Sequence, residues 1–130
     1  MTARTPCGRS VGVDLLAVGR MKDAVETTGQ LFLDKAFTAS EQAAAARAAD
    51  RIAYLATRFA GKEAIFKTFG IDRAGIELTD IEIVDGPHGE PVAVLHGRFA
   101  ELASQRHAQV SVSLAHDAGT AIAVALLSGE

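Results

Sequence analysis

Residues 51–70 read RIAYLATRFAGKEAIFKTFG, and this stretch decides the fold. It is the strongest helix of the chain, running from Arg51 to Phe69 and closed by Gly70. At about 100° per residue, Ile52, Leu55, Ala56, Phe59 and Phe66 fall on one arc. Glu63 lies in the middle of that arc, beside Phe59 one turn earlier. A carboxylate placed there is desolvated, so it has to be paired, hydrogen-bonded or metal-bound. Lys67 stands one turn further on, and Lys62 flanks the same stripe. The helix alone leaves two readings open. One is a Glu63–Lys67 pair of the i,i+4 kind, worth about 0.3–0.5 kcal/mol when exposed. The other is a functional carboxylate with cations beside it. Gly61 costs about 1 kcal/mol against alanine in mid-helix, which is easier to accept if something approaches the backbone closely. Simple tolerance of a small residue explains it equally well.

Upstream of the helix, residues 11–18 read VGVDLLAV, a buried strand interrupted by one charge, Asp14, and ended by Gly19. A short helix with Arg20, Met21, Lys22 and Val25 is expected next, then a connection in which Phe32 and Phe37 anchor the core. Thr38-Ala39-Ser40-Glu41 offers a capping box ahead of the alanine-rich residues 42–49, and Asp50 re-caps the long helix. Downstream, Leu78, Ile81 and Ile83 lead into the turn cluster of residues 85–89, with residues 91–96 as the partner strand. Residues 99–106 suit a short helix. Val110, Val112 and Leu114 alternate with polar or small residues as a half-buried strand. After a turn at residues 116–119, the apolar residues 121–127 read as a central strand. The sum is a single α+β domain over residues 11–128, preceded by a frayed N-terminus at residues 1–10.

A chain of 130 residues is long enough to bury one core. A net charge of −3 argues against a general nucleic-acid binder, although basic residues concentrate locally at Arg58, Lys62 and Lys67, and one tyrosine with no tryptophan leaves few stacking platforms. No apolar run reaches membrane-spanning length and no signal segment is recognisable, so the expected compartment is the cytoplasm, with no membrane partner. Cys7 stands alone and cannot close an internal disulfide.

Asp14 repeats on a strand the problem of Glu63 on the helix. Taken singly, it reads as a strand-end residue facing water. Two carboxylates on apolar faces, each near basic residues such as Arg58, Lys62 and Lys67, suggest phosphoryl chemistry instead. Magnesium takes one or two protein carboxylates and completes its shell with water and substrate phosphates, while lysine and arginine neutralise phosphate oxygens. Rival chemistry is weaker. Gly12, Gly19 and Gly70 form no phosphate-loop or dinucleotide fingerprint. His88, His96, His107 and His116 lack zinc spacing with Cys7, and no nucleophile elbow supports Ser111 or Ser113 with His116 and Asp117. His96 and His107 read as surface residues, and His116 as a turn histidine.

Val11-Gly12-Val13-Asp14, followed by residues 58–67, RFAGKEAIFK, resembles the paired signature of the 4′-phosphopantetheinyl transferases. Within that superfamily the likeness is to the short holo-[acyl-carrier-protein] synthases. Phe37-Thr38 with Glu41, residues 80–83, the Gly89-Glu90-Pro91 turn and residues 112–116 occur in the family's order, so the resemblance runs from about Val11 to Leu127. It implies the family's fold, a long helix packed on an antiparallel sheet. It implies Mg²⁺ held by Asp14 and Glu63, Lys67 on the phosphate under attack, and Arg58, Lys62 and His116 in coenzyme A binding. Arg20 matches a position that receives the acidic carrier protein. The implied reaction, a step of fatty-acid or related lipid biosynthesis, moves 4′-phosphopantetheine from coenzyme A to a serine of apo-acyl carrier protein and releases adenosine 3′,5′-bisphosphate. The implied assembly is a homotrimer with active sites between subunits. Gly61, where the family usually has alanine, and Ala115, where relatives often carry a hydroxyl, depart from the pattern. The alternatives are a catalytically silent module binding coenzyme A or the carrier protein, and a structural domain in which Glu63 and Lys67 only pair.

Overall fold

The computed structural model describes residues 8–129. Strand β1 (Arg9–Ala17) leads into helices α1 (Val18–Thr28), α2 (Gln30–Ala36), α3 (Ala39–Arg47) and α4 (Arg51–Phe69). A single 3-10 turn (Leu78–Asp80) follows, then β2 (Ile81–Asp85), β3 (Pro91–Leu95), α5 (Gly97–Gln105), β4 (Gln109–Asp117) and β5 (Thr120–Ser128). All pairing is antiparallel: β5 lies between β1 and β4 in one sheet, and β2 pairs with β3 in a separate ribbon. This is the expected α+β architecture. Among the described residues, no helix is long and apolar enough to cross a membrane.

Local signals fix both ends of α4. Asp50 Oδ1 accepts the Ala53 N–H at 3.1 Å as the N-cap, and Gly70 stops the helix in the left-handed region at φ 64°, ψ 32°. The Thr38–Glu41 capping box is present at the start of α3. The connection expected around Phe32 is itself helical, as α2, with Phe37 fully buried just beyond it and Phe32 half-buried.

The face of α4 differs from the single apolar arc expected. Buried residues run round the whole helix, from Ala53, Leu55 and Ala56 to Ala60, Lys62, Ile65, Phe66 and Phe69. The physical reason is that α4 is the axle of the domain. One side packs on β1, β5 and β4, where Ala121, Ala123 and Ala125 are small enough to admit it closely, and other sides meet β2, α1 and α3. Two glycines permit the close approach. A Cβ on Gly12 would collide with the Ala64 carbonyl, and one on Gly61 would lie 2.5 Å from Ile83 Cδ1. The hint at Gly61 is therefore explained by packing against β2.

Strand β1 starts two residues earlier than expected, because Arg9 and Ser10 continue the ladder opposite Ser128 and Leu127. Those two residues are strand and not frayed terminus; residues 1–7 of that expected terminus, Cys7 among them, lie outside the described residues. Nor is β1 buried on both faces. Gly12, Asp14 and Leu16 face α4, while Val11, Val13 and Leu15 point away from it and are 68%, 51% and 64% exposed. Opposite them on β5, Leu126, Val124 and Ile122 are 40%, 43% and 37% exposed. The sheet thus carries an aliphatic ribbon on its outer face, and its one acidic side chain on β1 points inward. That is the reverse of the usual alternation.

Candidate active site

Asp14 owes its place to strand parity, and Lys67 and Glu63 owe theirs to the helix turn that Gly12 lets approach. Lys67 Nζ donates to Asp14 Oδ1 at 3.1 Å and to the Val13 carbonyl at 2.8 Å. The alternative, a Glu63–Lys67 pair, is absent. Glu63 instead receives both arms of Arg73: Nη2 donates to Oε1 at 2.6 Å and Nη1 to Oε2 at 3.2 Å. Arg73 is held above its ordinary pKa, chiefly by the hydrogen bonds to Glu63, and Asp14 adds to the effect. One guanidinium therefore senses both carboxylates. Asp14 and Glu63 are each largely shielded, at 19% and 13% side-chain exposure.

Those two carboxylates fit a magnesium ion that takes few protein ligands and shares its shell with phosphates. Among the described residues, no cluster of three or more acidic, histidine or cysteine side chains offers a richer site. Arg73 is the member of this group that the sequence reading missed. It lies in the irregular residues 71–77, where no periodicity marks a charge as facing inward.

Arg58 belongs to a different patch. Five residues separate it from Glu63, about 140° around the helix and roughly 7.5 Å along it. Its guanidinium stacks 3.7 Å from the centre of the Tyr54 ring, donates to Asp85 Oδ1 at 2.5 Å and to Thr57 Oγ1 at 3.2 Å. Its buried Nε has no hydrogen-bond partner among the described residues. Tyr54 in turn donates to Asp85 Oδ2, and burial with that carboxylate pushes the phenol up to about 12. Arg58 and His116 line one cavity of about 430 Å³ with Asp50, Tyr54, Thr57 and Leu114. His116 is not in a turn. It is a strand residue of β4 opposite Ala121, because the hairpin closes with only Ala118 and Gly119, at φ 50° and 79°. Asp14, Glu63 and Lys67 do not line this cavity.

Lys62 requires a correction. The resemblance implies a contact with coenzyme A, but in this chain the Lys62 ammonium is buried away from solvent. Lys62 is fully buried, 2.7 Å from Glu41 Oε1, and donates to the carbonyls of Ile81 at 2.5 Å and Leu78 at 3.1 Å. Two hydrogen bonds and one ion pair hold the ammonium. Glu41 is equally committed, accepting the Thr38 N–H at 2.9 Å and the Ile83 N–H at 2.7 Å. Desolvation draws the Lys62 pKa below its ordinary value, with Glu41 opposing it. Breaking one side of such a pair leaves a buried charge alone, which costs about 3–5 kcal/mol. Lys62→Met is expected to lower the melting temperature by well over 5 °C, and the double variant Lys62→Met/Glu41→Gln to recover only part of that loss, because glutamine keeps one of the two acceptor oxygens. Equal melting temperatures for the single variant and the wild type would refute the strut.

Next to this strut, Glu82 on β2 accepts the hydroxyls of Ser40 and Thr38, each at 2.6 Å, and lies 3.0 Å from His96 Nε2. The Ser40 and Thr38 hydrogen bonds pull its carboxyl down to about 2. Arg20 is exposed on α1 at the mouth of a small apolar cavity of about 150 Å³ formed with Leu16, Met21, Ala24, Phe32 and Phe59.

A strand carboxylate against a long helix with the signature of residues 58–67 defines a class, and the comparisons agree. The chain matches the family model of the 4′-phosphopantetheinyl transferase superfamily over residues 10–125 and belongs to that superfamily. More particularly, it is 41% identical to a holo-[acyl-carrier-protein] synthase of Desulforudis audaxviator, the match covering 92% of each chain. Among solved structures it is similar to an ACPS–CoA complex from Chronobacterium ammoniagenes, with a TM-score of 0.83, 26% identity and coverage of 94% and 98% of the two chains. It also resembles the Helicobacter pylori holo-[acyl-carrier-protein] synthase solved with coenzyme A, at TM-score 0.80, 28% identity and coverage of 91% and 99%.

Proposed function

We propose that the protein transfers the 4′-phosphopantetheine group of coenzyme A to a serine of apo-acyl carrier protein, with Mg²⁺, releasing adenosine 3′,5′-bisphosphate. Membership of the superfamily and the synthases among its relatives support the transfer. The observation that carries the site is the meeting of Asp14 on β1 with Lys67 and of Glu63 on α4 with Arg73, two shielded carboxylates each with a cation in contact. Asp14 and Glu63 would hold the metal. When bound, the ion supplies neutralisation of the charge that develops on the pyrophosphate. Lys67 keeps its hydrogen bond to the Val13 carbonyl whatever becomes of Asp14, so its ammonium stays in position for a phosphate oxygen.

Arg58 and His116 would take the adenosine phosphate portion of coenzyme A in the 430 Å³ cavity that they line. Lys62 has no part in that contact; it holds α4 beneath it. The two patches lie on different sides of α4, and assembly reconciles them. The aliphatic ribbon of β1 and β5 is the expected seam of a homotrimer. A site shared between subunits lets one copy supply the carboxylates and its neighbour the cavity. Arg20, exposed beside an apolar hollow, suits contact with an acidic carrier protein.

Incubation with apo-acyl carrier protein, coenzyme A and Mg²⁺, followed by intact-protein mass spectrometry, tests the reading. The expected product is carrier protein heavier by one phosphopantetheine, dependent on the metal. A carrier protein of unchanged mass after prolonged incubation would sink it.

A further inference from the structure

Gly70 turns the chain out of α4, and the irregular residues 71–77 lead away from it. From this loop Arg73 reaches back to take both oxygens of Glu63. Its guanidinium also lies over the Phe66 ring, 4.4 Å from the centroid. The partners are unequal. Glu63 is anchored on a packed helix and is 13% exposed, whereas Arg73 is borne by a loop and is 55% exposed. The arginine is the one that can leave.

Lys67 offers the contrast. Its ammonium is bonded to the Val13 carbonyl as well as to Asp14, so a cation arriving at Asp14 does not unseat it. The Arg73 guanidinium hydrogen-bonds only to Glu63 among the described residues. A divalent ion at Glu63 competes with the two N–H···O contacts for the same two oxygens, and its charge repels the guanidinium. Once displaced, a guanidinium lying on the Phe66 face stays close by, with its donor fork open. The anion that such a fork holds best in two-point fashion is a carboxylate or a phosphate.

We propose that Arg73 is a stand-in cation: it neutralises Glu63 until a divalent ion arrives, then turns its guanidinium to the phosphates of the cosubstrate. The proposal rests on the reading of Asp14 and Glu63 as a metal site. It makes Arg73 a competitor of the metal and an ally of the phosphate, which gives two effects of opposite sign. A bidentate pair with one exposed partner is worth up to about 1 kcal/mol, equivalent to about 5-fold in metal affinity. No covalent step is involved.

Mn²⁺ titrations of the full chain without coenzyme A, read by the paramagnetic resonance of the free ion, test the first effect. The KM for coenzyme A in the transfer reaction tests the second. Arg73→Gln is expected to bind Mn²⁺ roughly 5-fold more tightly than the wild type while its KM for coenzyme A rises about 10-fold. Arg73→Lys should fall between the two on both measures. Unchanged or weaker Mn²⁺ binding by Arg73→Gln, or an unchanged KM, would overturn the role of Arg73. Asp14→Asn is measured alongside. If it binds Mn²⁺ poorly while Arg73→Gln matches the wild type, only the stand-in fails. If it binds Mn²⁺ like the wild type, or the wild type binds none, the metal reading fails and Arg73 falls with it.

Discussion

Asp14→Asn is expected to slow transfer by about 10²–10³-fold at saturating coenzyme A, with little change in melting temperature. The large effect follows from charge. Asparagine keeps the shape of the side chain but removes the negative charge that would hold a metal against a pyrophosphate, and such electrostatic stabilisation is worth several kcal/mol in a shielded site. The small effect on stability follows from the partner. Lys67 is half exposed and keeps the Val13 carbonyl, so losing Asp14 leaves no buried ammonium unsatisfied. Single-turnover rates and thermal melts separate the two. A rate within about 3-fold of the wild type would remove Asp14 from the chemistry.

If the proposed trimer forms, Val124→Glu is expected to convert it into monomers of 13.6 kDa and to abolish measurable transfer while preserving the fold. Val124 is the middle residue of the outer ribbon, opposite Val13 on β1 and Ser113 on β4. In the isolated chain that face is open, so a glutamate there is solvated and costs the fold little. Burying it in an aliphatic seam is a different matter. An unpaired carboxylate in an apolar interface costs several kcal/mol per subunit, on the order of what such a patch gains by assembling. Sedimentation and circular dichroism give the two readings. A variant that still sediments as the wild-type oligomer would show that the seam lies elsewhere.

The parts of the fold that were legible are those with local causes. Asp50, Gly70, Thr38 and Glu41 act on backbone groups within a few residues, so sequence alone marks the ends of α3 and α4. The role of Lys62 was illegible for the opposite reason. Its partners Glu41, Leu78 and Ile81 lie 16 to 21 residues away, and nothing in the pattern of α4 says that this lysine, and not Lys67, is the buried one. The strand VGVDLLAV was half legible. It is apolar enough to pass for a strand buried on both faces, and only the inward direction of Asp14 shows that the valines point out. Asp14 and Glu63 stood out as charges among apolar residues, whereas Arg73 in an irregular loop did not.

The register between β1 and β5 couples the two ends of the chain in time as well as in space. Among the described strands, β1 is bonded only to β5, with Arg9 opposite Ser128 and Asp14 opposite Ala123. On the ribosome, the strand bearing Asp14 emerges well before β5 and has no described hydrogen-bonding strand neighbour until β5 is released. The loop that must then close is nearly the whole domain, and contacts of such high sequence separation form late. Until that moment a nascent chain holds Glu63 and Lys67 on a finished helix with no strand to bring Asp14 to them. The site is therefore completed only once β5 is in place, and a product truncated before β5 carries the signature residues without the geometry.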